Sequence, residues 1–170
     1  DALQRPPKLA AGQLRLLRLG LAQRLVVQDD DEGVQGGLQA IGHAGHGFAY
    51  DNESPRHRVF VEPFELGSRL VTNGEWLDFM EDGGYRRHDL CLSLGWERVQ
   101  AEGWTAPLSW TQQDGAWQRV SLHGRVALDP SEPATHLSLF EADAYAAWAG
   151  ARLPTEAEWE VAAQGAPLAG

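Results

Sequence analysis

A single cysteine in 170 residues has nothing to pair with, which excludes an internal disulfide and fits a reducing compartment, with the cytoplasm as the expected location. Basic residues are also in deficit: 14 Lys and Arg stand against 24 Asp and Glu, a formal net charge of −10. The average field of such a surface repels a phosphate backbone, so nucleic acid is excluded as the main partner. Long apolar runs are missing too. The most apolar stretch, "LRLLRLGLAQRLVVQ" at 14–28, is interrupted by Arg15, Arg18, Gly20 and Arg24 and is too short and too charged to span a bilayer. It reads as a peripheral helix or the remnant of an upstream region, the alternative being a basic helix lying on a membrane surface. The chain has no initiator methionine, and its start lacks the charged, apolar and small-residue order of a signal peptide. It is therefore expected to be a piece of a longer polypeptide.

What is present is a globular composition, 43% hydrophobic with seven tryptophans, in a length suited to one domain with a real core. Tryptophans at that density anchor an irregular core or line a cleft, and core filling is the favoured reading. Residues 1–36 end in "DDDE" and a glycine cluster, which lacks the alternating ligands of a calcium loop and reads as a solvated linker. The domain boundary is placed near Gly37, with 37–170 as the domain.

Beyond it, "HRVFVEPFEL" at 57–66 alternates like a strand across Pro63, which suits an edge or a bulge. Thr72 stands three residues before Glu75, Ser138 before Glu141, and Thr155 before Glu158. A hydroxyl and a carboxylate at that spacing satisfy each other's free backbone donors at a helix start. The first such helix would bury Trp76, Phe79 and Met80 and stop at Gly83–Gly84; the second would turn Phe140, Ala144, Tyr145 and Trp148 to a core and stop at Gly150. A further short helix is expected over 93–101, and a hairpin turning at Asp114-Gly115. No internal repeat is evident. In "RLPTEAEWE" at 152–160, Arg152 is expected to pair with Glu156 or another carboxylate, and Trp159 to bury itself against the helix bearing Trp148.

"GHGFAYDNESPRHRVFVEPFEL" at 45–66, "VTNGEW" at 71–76 and "HLSLFEADAYAAWAGARLPTEAEWEVAA" at 136–163 resemble, in order and spacing, the sulfatase-modifying-factor family, also called the formylglycine-generating-enzyme family. The resemblance implies an α+β, C-type-lectin-like fold with short helices, a small antiparallel sheet and much irregular structure. Within the family, "DNESPRH", "EDGGYRR", "SLGWERVQAEGWTAPLSW" and "LHGR" look most like the C-terminal domain of the sulfoxide synthases of ergothioneine and selenoneine biosynthesis. That likeness implies a parent enzyme with a DinB-like helical domain upstream, a mononuclear non-heme iron(II), dioxygen, and oxidative C–S or C–Se bond formation on trimethylhistidine. The donor would be cysteine or γ-glutamylcysteine. The family's later segment, with the residues that the resemblance implies bind the sulfur donor and the trimethylammonium group, would lie beyond Gly170, so the domain is expected to be truncated at its C-terminal end. Two alternatives stay open: a non-catalytic C-type-lectin-like binding module, and a fragment of a formylglycine-generating oxidase.

The likeness also implies iron ligands from a His-x-x-x-His-x-Glu helix in the upstream bundle, and none of the six histidines here has that spacing. No metal ligand and no catalytic residue is assigned, and the fragment alone is expected to be inactive and to bind no cofactor. His43 and His46 read as turn residues, and His57 as the entry to a strand. Formylglycine chemistry needs a cysteine pair, whereas Cys91 is alone and reads as a small apolar residue. A trimethylated ammonium is drawn to aromatic faces by cation–π attraction, which makes Tyr50, Trp104 and Trp110 candidate substrate-binding residues, with core packing as the competing reading for each.

Overall fold

The computed structural model describes residues 26–27 and 33–164. Among these described residues, four short α-helices and three small antiparallel sheets are joined by loops and 3-10 turns. The expected linker 1–36 lies largely outside the described residues, as does the Arg/Leu stretch before Val26. The part that is described is paired: β1 (Val26–Val27) runs antiparallel to β4 (Glu65–Leu66), and Val34 bridges Phe64. Sheet pairing thus begins upstream of Gly37.

β2 (Gly37–Ile41) and β3 (His57–Val61) form a hairpin in the register Gly37↔Val61 to Ile41↔His57. The strand expected over 57–66 is split into β3 and β4, because Pro63 has no amide to donate and the ladder lapses around it. This sheet meets α4 (Glu156–Ala163): Val61 of β3 is buried together with Phe64 and Leu66 of the following segment, and Ala157, Val161 and Ala162 pack against the three. Its outer face leaves the cross-strand pair Leu38 and Phe60 exposed.

The larger core lies between α1 (Asn73–Glu81), α3 (Leu139–Trp148) and the sheet of β5 (Trp110–Gln113), β6 (Ala116–Ser121) and β7 (Gly124–Ala127). Trp76 and Phe79 are each 1% exposed, and the Trp76 indole stacks on Tyr145 with ring centroids 5.0 Å apart. Such aromatic pairs add roughly 0.5–1.5 kcal/mol to the area they bury. α2 (Ser93–Glu102) packs beside them through Val99, and its Gly95 sits so close to Phe140 that a Cβ there would come within 2.8 Å of it. The β5–β6 turn is Asp114-Gly115 with φ of 50° and 80°, the two positive values that a tight hairpin of the favoured twist requires. A second hairpin, β6–β7, turns through Leu122 and His123.

All three Thr/Ser-x-x-Glu capping boxes are formed. At α1 the neighbouring loop completes the job: the Asn73 and Gly74 amides donate to Glu132 O and Pro130 O, and Asn73 Nδ2 reaches Asp129 O at 2.7 Å. Each N–H that the start of α1 leaves free therefore finds an oxygen. Among the described residues no helix is long and apolar enough to cross a membrane.

Candidate functional site: an anchored aromatic loop

Two of the capping glutamates are also gripped by an arginine six residues upstream. Arg69 binds Glu75 through both guanidinium ends at 2.6 and 2.7 Å, and Arg152 binds Glu158 at 2.5 and 2.7 Å. Aligning the two units exposes a short repeat, Arg-Leu-x-Thr-x-x-Glu-Trp at 69–76 and again at 152–159. It escapes a search for long repeats because only the cap and its clamp recur. The partner of Arg152 is thus Glu158, not Glu156, since the chain doubles back at the cap and brings the guanidinium over the first turn.

Glu158 is 5% exposed and its pKa is lowered to about 2, first by the Arg152 hydrogen bonds, against the opposing effect of burial, with help from the Thr155 amide and hydroxyl. Glu75 is lowered as well: burial pushes it up, but Arg69 and Thr72 outweigh that. The third capping glutamate, Glu141, has no arginine. It is buried and accepts from the Tyr85 hydroxyl at 2.5 Å and from the Ser138 amide at 2.8 Å. Burial, then the charge of Glu141 and the hydrogen bond to it, raise Tyr85 far above the ordinary phenol range, so the proton stays on the phenol. The tryptophans that end the two repeats differ in fate. Trp76 is buried, whereas Trp159 is 50% exposed, not packed against the Trp148 helix as its sequence suggests, because α4 turns its small residues to the β2–β3 sheet instead.

Of the three candidate ligand-binding aromatics, Trp110 is 5% exposed and packed in the main core beside Trp117, so it has no free face to offer. Trp104 is half-buried against the same core, and its Nε1 donates to Glu102 at 2.9 Å. Tyr50 is different. It is 65% exposed on the 42–53 loop, where its ring meets Phe48 edge to face with centroids 5.1 Å apart. Phe48 is 84% exposed. Asp51 and Glu53 follow in a 3-10 turn (Asp51–Glu53), both exposed, and the Glu53 carboxylate accepts from the Tyr50 amide at 3.0 Å. Two aromatic rings beside two carboxylates make a surface suited to an organic cation. The partnership of Phe48 with Tyr50 is not evident from sequence reasoning, although "GHGFAYDNE" shows two aromatics two residues apart before an acidic pair.

The histidines do not assemble. His43 and His46 stand on the same loop, His57 Nδ1 lies 3.1 Å from Pro55 O, and among the described residues no three His, Cys, Asp or Glu side chains come together as a metal site. The described residues therefore do not, by themselves, fit iron(II) as a resident ion. Cys91 lines a narrow apolar slot with Phe79, Gly95 and Phe140; burial, then the charges of Asp89 and Asp143, push its thiol up, which disfavours the nucleophilic thiolate.

Comparison with known proteins carries these observations further. The chain is 48% identical over 120 residues to the hercynine oxygenase of Mycobacterium tuberculosis, covering 71% of this chain and 28% of that protein. It is equally close, 48% over 124 residues, to the hercynine oxygenase of Mycolicibacterium thermoresistibile, covering 72% and 27%. The formylglycine-generating enzyme of Streptomyces coelicolor is 36% identical over 148 residues, covering 76% and 45%. The chain thus spans little more than a quarter of the length of the hercynine oxygenases that it matches. The Sulfatase-modifying factor enzyme 1-like domain matches residues 25–169, a span that takes in every described residue, and to that family this chain belongs.

Proposed function

We propose that this chain is the substrate-side portion of a hercynine-oxygenase-type sulfoxide synthase, acting in ergothioneine or selenoneine biosynthesis in the cytoplasm. The observation that carries the reading is the near half identity to two hercynine oxygenases, well above that to the formylglycine-generating enzyme. The substrate is hercynine, histidine with a trimethylated amine, and the donor is cysteine or γ-glutamylcysteine, or a selenium analogue. The reaction balances without an added reductant. The imidazole C–H and the thiol S–H are lost, a C–S bond forms, and one oxygen atom of O₂ enters the sulfoxide while the other leaves as water.

In this reading residues 25–169 belong to a sulfatase-modifying-factor domain that continues beyond Gly170 in the parent protein. The region before it is a remnant or linker that leads from a DinB-like helical domain, which supplies the iron(II) ligands. This chain's share is binding. Phe48 and Tyr50 present aromatic edges and faces to the trimethylammonium group, and Asp51 and Glu53 add negative charge beside them. Trp104 and Trp110 support the core.

The test is turnover by the parent polypeptide with iron(II), oxygen, trimethylhistidine and each thiol, read by mass spectrometry. Sulfoxide formation supports the proposal. Conversion of a cysteine-bearing sulfatase peptide to formylglycine, with no sulfoxide, would replace it by the oxidase reading, and neither product would favour a non-catalytic lectin-like module.

A further inference from the structure

We infer that Glu160 is a positioning residue that sets the Phe48–Tyr50 pair, an inference that rests on the ligand-binding role proposed for Tyr50. Glu160 Oε1 accepts from the Gly42 amide at 2.7 Å, joining positions 118 residues apart. Gly42 stands at the neck of the 42–53 loop. The next amide, His43 N, donates to Glu53 O at 2.7 Å and closes that neck, and Glu53 in turn holds the Tyr50 amide. Gly42 has φ +91°, and a Cβ there would lie 2.8 Å from Glu53 O, so the neck closes in this way only around glycine. From the neck outward the loop is exposed at Phe48 and Tyr50.

The other side of this contact is stiff. α4 is fixed at its start by the Arg152–Glu158–Thr155 clamp and along its length by Ala157, Val161 and Ala162 on the sheet. Glu158 faces the clamp, and Glu160, two residues on, faces the loop. The stretch "RLPTEAEWE" at 152–160 thereby couples a rigid helix start to the neck of the aromatic loop. Removing this acceptor leaves the Gly42 amide without its partner, which frees the loop and disperses the two rings.

The experiment is an NMR titration of the 170-residue chain with trimethylhistidine. Glu160→Ala should weaken binding about five- to tenfold, while Glu160→Gln, whose amide oxygen still accepts, should stay within about twofold of the parent chain. Gly42→Ala should weaken it as Glu160→Ala does. Tyr50→Ala separates the two claims. If it leaves the affinity unchanged, Tyr50 is not the binding residue and both readings fall. If Tyr50→Ala weakens binding but Glu160→Ala does not, or if the alanine and glutamine variants at 160 weaken it equally, the latch alone is overturned.

Discussion

The Glu158 carboxylate accepts from two guanidinium nitrogens and from the Thr155 amide, so protonating it undoes a cap and a clamp at once. Its pKa falls from an ordinary value of 4.5 to about 2 in the fold. A depressed carboxylate contributes stability that is fully present above its unfolded value and is lost as pH falls toward the folded one. The full shift overstates the effect, since Arg152 is 43% exposed. After that discount about 1–2 kcal/mol remains. Glu158→Gln should therefore be less stable than the parent chain at neutral pH, and the gap should close between about pH 4.5 and pH 2, as read from urea unfolding at each pH. A constant gap across that window would contradict the clamp. At Tyr85 the expectation is independent of pH near neutrality. Tyr85→Phe strips the buried Glu141 carboxylate of its hydroxyl donor and should cost about 1–3 kcal/mol in the same assay. The two partnerships differ in legibility. The Thr155–Glu158 box is local and visible as a spacing, while Tyr85 and Glu141 stand 56 residues apart and only the folded chain joins them.

Helix starts are the most legible elements, because a Ser or Thr three residues before a Glu encodes its own hydrogen bonds. α1, α3 and α4 begin directly after Thr72, Ser138 and Thr155. The Asp114-Gly115 hairpin is legible for the same reason, its backbone needing two positive φ values. The β6–β7 hairpin is not, since its central residues, Leu122 and His123, carry no turn signature and only the following Gly124, at φ +98°, marks it. How helices pack is less readable still. The buried face of α4 is made of alanines and a valine, so the large Trp159 points the reader of the sequence to the wrong side. Helix contacts also make a firm prediction: at Gly95 a Cβ would meet the Phe140 side chain at 2.8 Å, so Gly95→Ala should destabilise by about 1–3 kcal/mol despite its gain in helix propensity. A gain in thermal midpoint would show that α2 and α3 sit further apart.

At the scale of the whole molecule, the described residues form two small cores linked by loops and leave apolar groups such as Leu38, Phe60 and Trp159 exposed. The family is legible from motifs spread over most of the chain. The candidate site is legible only in part, for Tyr50 can be named from its residue type, but its separation from Trp104 and Trp110 depends on long-range packing. Metal binding is likewise a property of the whole chain. Because no three potential ligands converge among the described residues, an anaerobic iron(II) titration of the isolated chain should show no stoichiometric tight binding, and tight 1:1 uptake would contradict the division of labour proposed with an upstream domain. That division, as proposed, leaves to this chain the binding of the methylated substrate. Calorimetric titration with trimethylhistidine and, in parallel, with unmethylated histidine tests it most directly. Saturable binding of the trimethylated compound with none detectable for histidine is the predicted result; equal affinities, or no binding of either, would contradict it.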